Sequence, residues 1–218
     1  MNTRLRTELL ASPPAFHAWK GAPQTVGFDA PMLGVLEQTL ADAGVSQGAA
    51  YETGAGLSSV WLLAVGLGEV HSFCKDSDVC ERVTEYLAPY PAERGRWHCR
   101  VGPSELTLPP VAIAAATERA DFCLIDGGHG LDTVFNDFLY LNYLLKPGGL
   151  LAIDDLHLGS CRLLCELLLQ PGLGYAIVGR TEKLAVLRKE TARRLLGDFG
   201  RYRPLLARLS GWLGDPPA

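Results

Sequence analysis

Residues Asp121 to Gly130 read "DFCLIDGGHG", and this stretch decides the fold. Phe122, Cys123, Leu124 and Ile125 form a short apolar run of the kind that is covered on both faces in a parallel sheet. Asp126 then sets a carboxylate at the carboxyl end of that strand. Gly127 and Gly128 allow a tight turn and close approach to the backbone. His129 adds a group that can take a proton near neutral pH.

The same pattern extends in both directions from this strand. Before it, "AAYE", "EVHSF" and "WHCRV" read as strands, each followed by a helical stretch: "SSVWLLAV" with Ser58 as its cap, "DVCERVTEYLA", and "PVAIAAATERA" opening on a proline. After it, "LDTVFNDFLYLNYLL" reads as a long helix ended by "KPGG", "LLAID" as a strand, and "SCRLLCELLL" as a helix. "YAIVG" and "KLAVLRK" close the pattern as an antiparallel hairpin. Strand–helix alternation with a terminal hairpin predicts an α/β fold. Its sheet is doubly wound, mainly parallel and seven-stranded, with ligands held above the strand ends at the switch point.

A chain of 218 residues with 48% hydrophobic content can bury one core. Residues 1–30, with Pro13, Pro14, Gly21, Pro23 and Gly27, read as a short helix and a loop, an N-terminal arm or flap. Residues 31–189 form the main domain, and 190–218 a helical extension. Net charge −4 gives no electrostatic reason to bind nucleic acid. No run of eighteen uncharged apolar residues suggests a membrane span, and "MNTRLRTELLASPPAF" is a poor signal peptide, so a cytoplasmic location is expected. The six cysteines (74, 80, 99, 123, 161 and 165) include no CxxC, and free, mostly buried thiols are expected. The tail "TARRLLGDFGRYRPLLARLSGWLG" mixes arginines with apolar residues, which suits docking on its own domain or on a second subunit of a homodimer, with a membrane surface or a partner helix as the alternatives.

Two segments carry chemistry. In "YETGAGLSS", Gly54 and Gly56 permit a tight turn into a helix whose N–H groups face a ligand. Ser59 stands where a dinucleotide fingerprint has its third glycine. Glu52 gives a phosphate nothing but would suit a cationic ligand. In the second segment, Asp126, Asp154 and Asp155 would repel one another unless a cation sits among them. Hard oxygen donors of this number suit Mg²⁺. The Asp pair also reads as capping acids for the helix at Gly159, and His129 as a structural hydrogen-bonding group. His157 follows the pair as a loop histidine that could face the same cavity. Asp137 reads as a solvated or capping acid, and His17, Trp19 and Phe28 as packing or as part of the flap.

Glu-x-Gly-x-Gly at 52–56 resembles the first motif of class I S-adenosylmethionine-dependent methyltransferases. "LIDGGHGLDTVFNDFLYLNYLLKPGGLLAIDD" resembles the small bacterial O-methyltransferases of methyltransferase domain family 24. The resemblance covers roughly residues 31–189 and implies S-adenosylmethionine as methyl donor, held by Glu52, Gly54, Gly56, Ser58 and Asp126 with Cys74 and Asp76 at the end of the second strand. In metal-dependent relatives such as the catechol O-methyltransferases it implies Mg²⁺ on Asp126, Asp154 and Asp155. A lysine is their base; here His129 takes its position. The usual ribose-binding acid, within Glu-His-Asp, is replaced in Cys74-Lys75-Asp76 by a cysteine, a poor acceptor.

The expected function is therefore O-methylation of a small hydroxylated molecule, with His129 and Asp126 catalytic. Two alternatives stand beside it. One is a nicotinamide-dependent oxidoreductase using Gly54, Gly56 and Asp76. The other is a non-catalytic binding module of the same fold, its cofactor affinity lost through Cys74.

Overall fold

Seven strands form one sheet in the order β5-β4-β3-β6-β7-β9-β8. The computed structural model describes residues 1–19, 22–24, 27–115 and 119–191. The parallel strands are β3 (Ala49–Thr53), β4 (Glu69–Cys74), β5 (Trp97–Val101), β6 (Ala120–Ile125) and β7 (Leu145–Ile153). β8 (Tyr175–Arg180) and β9 (Ala185–Lys189) form the expected hairpin, and β9 pairs antiparallel with β7. The apolar run of the opening stretch is β6, at the centre of the sheet.

Alternation along each strand sorts side chains between two cores. Ala50, Val70, Phe122, Leu124, Leu150 and Val186 face one layer of helices: α1 (Thr3–Ala11), α2 (Ala30–Asp42), α3 (Leu57–Val65) and α4 (Ser77–Tyr86). Tyr51, Phe73, Cys123, Ile125, Leu151 and Leu187 face α6 (Ser104–Ala114), α7 (Leu131–Leu144) and α8 (Gly159–Leu168). A short helix, α5 (Pro91–Arg94), lies before β5. The chain leaves β3 for β4 and β5 on one side and returns to β6 on the other. The switch point therefore lies between the carboxyl ends of β3 and β6.

Several local expectations change. α6 begins at Ser104, and Pro109 and Pro110 lie inside it, although the proline was expected to start the helix. Packing of Leu108 and Ala112 in the core outweighs the two missing donors. α3 begins at Leu57 with Gly56 as its N-cap, so Ser58 is inside the helix. The N-terminal arm continues past its helix into a hairpin, β1 (His17–Trp19) with β2 (Ala22–Gln24). The arm is docked: Leu5 and Leu9 are buried and the Asn2 N–H donates to Ala64 O at 2.7 Å. Cys80 of α4 and Cys99 of β5 form a disulfide, because that helix lies over that strand; Cys74, Cys123, Cys161 and Cys165 are free and buried. Most of the extension at 190–218 lies outside the described residues. Among the described residues, no helix is long and apolar enough to cross a membrane.

Candidate active site

Backbone hydrogen bonds tie the carboxyl ends of four strands into one platform. Gly54 N–H donates to Phe73 O at 2.9 Å, Asp126 N–H to Thr53 O at 3.2 Å, and Asp154 N–H to Ile125 O at 3.0 Å. The glycine turn and the acids are therefore neighbours. Gly54 has φ +91°, and a Cβ there would run into the Asp126 carbonyl oxygen. Gly56 has φ +149°, and a Cβ there would stand 3.1 Å from Nε2 of His17. The N-terminal hairpin thus lies against the turn, and burial lowers the pKa of His17.

Glu52 does not face a ligand space. Its side chain is fully buried behind the turn, accepting hydrogen bonds from Ser58 Oγ at 2.8 Å, Ser72 Oγ at 2.6 Å and Ser59 Oγ. Ser59 in turn accepts from Gly56 N–H at 3.0 Å, and Trp97 Nε1–H donates to Ser72 Oγ at 2.9 Å. Burial raises the Glu52 pKa against the pull of these hydroxyls. The carboxylate so placed anchors the turn and the first turn of α3, and Ser58 serves the same cage.

The second strand ends in Cys74, 6% exposed, with its thiol donating to Asp76 O at 3.6 Å. Burial raises its pKa. Asp76 is exposed and caps α4: its Oδ1 accepts from the N–H groups of Asp78 at 2.9 Å and Val79 at 3.4 Å.

The acids gather as their positions predict. Asp126 follows β6, and Asp154 and Asp155 follow β7. Burial raises the Asp126 pKa well above the usual range, and Asp154, Glu52 and Asp155 add to the rise. Asp154 is 2% exposed and pushed up to about 6, by burial first and then by Asp155. Its Oδ1 is buried without a partner. Asp155 has φ +54°, a left-handed conformation that a non-glycine residue holds only where its surroundings impose it. There its Oδ2 meets His129 Nε2 at 2.8 Å, while its Oδ1 is 3.5 Å from His157 Nδ1. The contact raises the His129 pKa and lowers that of Asp155. Donor atoms of Asp126, His129 and Asp155 lie within 4.8 Å of one another.

These residues fit a hard divalent cation. Two carboxyl groups forced towards protonation, with one oxygen orphaned, are what such an ion would relieve. Asp137 was missed as a buried group. It sits in α7 with no exposure and neither oxygen hydrogen-bonded, close to Gly127 and Thr53. Its place after the Gly-Gly-His turn was the available signal.

Residues 51–156 match the model of a methyltransferase domain family. Among solved structures, the chain is similar to the O-methyltransferase TomG from Streptomyces achromogenes, involved in tomaymycin synthesis and in complex with SAM. That match has 17% identity and TM-score 0.66, covering 84% of this chain and 90% of that one. An O-methyltransferase from Bacillus cereus in complex with SAH matches at 14% identity and TM-score 0.63, covering 87% and 92%. The MycE methyltransferase of the mycinamycin biosynthetic pathway, in complex with Mg and SAH, matches at 18% and 0.54, covering 80% and 53%. No curated protein matches the chain.

Proposed function

We propose that this protein, whose residues 51–156 match a methyltransferase domain family, is an S-adenosylmethionine-dependent O-methyltransferase of a small hydroxylated molecule, assisted by a divalent cation. One observation carries the reading. The half-buried Asp126 and the buried Asp154, whose Oδ1 is unpartnered, stand beside the His129–Asp155 contact, with Asp126 directly against the Gly54 turn. The SAM, SAH and Mg bound by the similar structures support it.

Asp126, Asp154 and Asp155 would hold the cation, which when bound acidifies and orients an acceptor hydroxyl. S-adenosylmethionine supplies an electrophilic methyl group on a sulfonium. The turn at Gly54 and Gly56, packed against the Asp126 carbonyl and His17, would present the N-terminus of α3 to that donor, and the serine cage around Glu52 holds the turn. His129 is the base. When its Nε2–H is donated to Asp155, the neutral ring keeps Nδ1 as the atom that takes the hydroxyl proton. Asp155 then stabilises the imidazolium. Positioning of acceptor oxygen and methyl group in line supplies much of the remaining acceleration. The nicotinamide alternative is less supported, because the Asp76 carboxylate it needs on the ribose is engaged in capping α4.

The test is methyl transfer to a panel of phenolic, sugar and polyketide hydroxyls. Turnover should vanish in excess EDTA and return with Mg²⁺ or Mn²⁺. His129→Ala should lower the rate about 10²–10⁴-fold while S-adenosylhomocysteine still raises the melting temperature of the variant. Full turnover in EDTA would remove the cation from the reading. A His129→Ala enzyme within threefold of wild type would remove the base.

A further inference from the structure

At the other end of the sheet, the amino-terminal end of β4 and the edge strand β5 carry a second group of metal-ligating side chains. Register places Tyr51 of β3 opposite His71 of β4, and His71 opposite His98 of β5. Glu69, two residues before His71, shares its face. The rings form a ladder. Tyr51 and His71 stack at 4.5 Å with 16° between planes, and His71 and His98 at 4.8 Å with 21°. Glu69 Oε2 lies 3.2 Å from His71 Nε2. Donor atoms of Glu69, His71 and His98 all fall within 4.8 Å of one another.

We propose that Glu69, His71 and His98 bind Zn²⁺, or a transition-metal ion of the same preference, in a site separate from the acids at the carboxyl end of the sheet. The donor set carries the assignment. Two imidazole nitrogens and one carboxylate oxygen form a borderline-soft N₂O set that suits zinc, with water in the fourth position. The group at the carboxyl end, with three carboxylates and one imidazole, is richer in oxygen and suits a harder ion. Spacing agrees with this. Bonds of about 2.0–2.1 Å at tetrahedral angles put neighbouring ligand atoms roughly 3.4 Å apart, and the Glu69–His71 pair already stands at 3.2 Å.

Stacking on Tyr51 fixes the His71 ring from one side. Glu69 and His98 are exposed, and closure is a rotation of these two side chains that takes His98 out of its stack on His71, since an imidazole ligates in its own plane. Burial, with smaller contributions from His98 and Arg100, lowers the His71 pKa against the pull of Glu69, and neutral imidazole is the form that ligates. Arg100 opposes a cation, and Glu69 supplies the compensating charge. Bound there, the ion would pin β5, the open edge of the sheet, to β4.

The experiment uses the full chain, stripped of metal and returned to excess Mg²⁺ so that the oxygen-rich group is saturated. Zn²⁺ is titrated against a chromophoric chelator, and Co²⁺ is followed by its visible absorption. One equivalent should bind, with the intense bands of a four-coordinate cobalt site. His98→Asn and Glu69→Gln change exposed side chains and should melt as wild type does in EDTA, yet each should weaken zinc binding by at least about tenfold. Asp126→Asn should leave zinc binding unchanged. Absence of saturable zinc binding, wild-type affinity in both His98→Asn and Glu69→Gln, or loss of the site in Asp126→Asn would overturn the proposal.

Discussion

Asp137 shows most directly what burial does to a single group. Its carboxyl lies beneath the turn that carries Gly127 and His129, and burial pushes its pKa up to about 6 from the ordinary 3.8. Ser104 and Thr53 pull the other way without overcoming that cost. Between these two values the folded protein holds a proton that the unfolded chain has released. Stability therefore falls as pH rises from about 4 to about 6, and levels off above. Asp137→Asn removes this dependence. Relative to its value at pH 4, the variant's unfolding free energy should gain about 2 kcal/mol over wild type by pH 7, measured by urea titration across that range. A difference that stays constant with pH would mean that Asp137 is ionised in the fold.

At the scale of elements, β4 and α4 together decide how a ribose would be met. Asp76 spends one carboxylate oxygen on the first turn of α4, and Cys74 faces the core with only a thiol. The strand therefore ends in a thiol where the resemblance implies an acid. Asp76→Ala should cost about 1 kcal/mol of stability through the lost cap and leave S-adenosylmethionine affinity within twofold. Cys74→Glu should tighten that affinity, since a hydrogen bond to a charged acceptor contributes roughly 1.5–3 kcal/mol. Calorimetric titration of both variants decides the matter. Tenfold weaker binding in Asp76→Ala, with no gain in Cys74→Glu, would show that Asp76 turns inward to the ribose.

For the molecule as a whole, the N-terminal arm belongs to the core beside the site. Leu5 and Leu9 are fully buried against the α3 layer, and Arg6 makes a two-pronged pair with Glu37 of α2 at 2.9–3.0 Å. Burying each leucine contributes about 1.5–3 kcal/mol, so removal of residues 1–11 should lower the melting temperature by many degrees. The same truncation should loosen the hairpin whose His17 lies against Gly56, and so weaken S-adenosylhomocysteine binding. A truncated protein that melts and binds as wild type does would show that the arm is dispensable to both.

Local pattern alone was enough to determine the alternating elements, the terminal hairpin, and acids at the ends of β6 and β7, whereas the order of the strands came only with the fold. Each of these follows from periodicity or from a glycine turn, which are written in neighbouring residues. What the tertiary structure decided depends on partners far apart in the chain. Glu52 looks like a ligand-facing acid until Ser72, 20 residues on, closes the cage around it. Cys80 and Cys99 look like free thiols until α4 is laid over β5. Pro109 and Pro110 look like a helix start until the packing of Leu108 and Ala112 carries α6 through them. Proximity across a sheet creates such contacts only after the chain has folded, so no local spacing of residues records them.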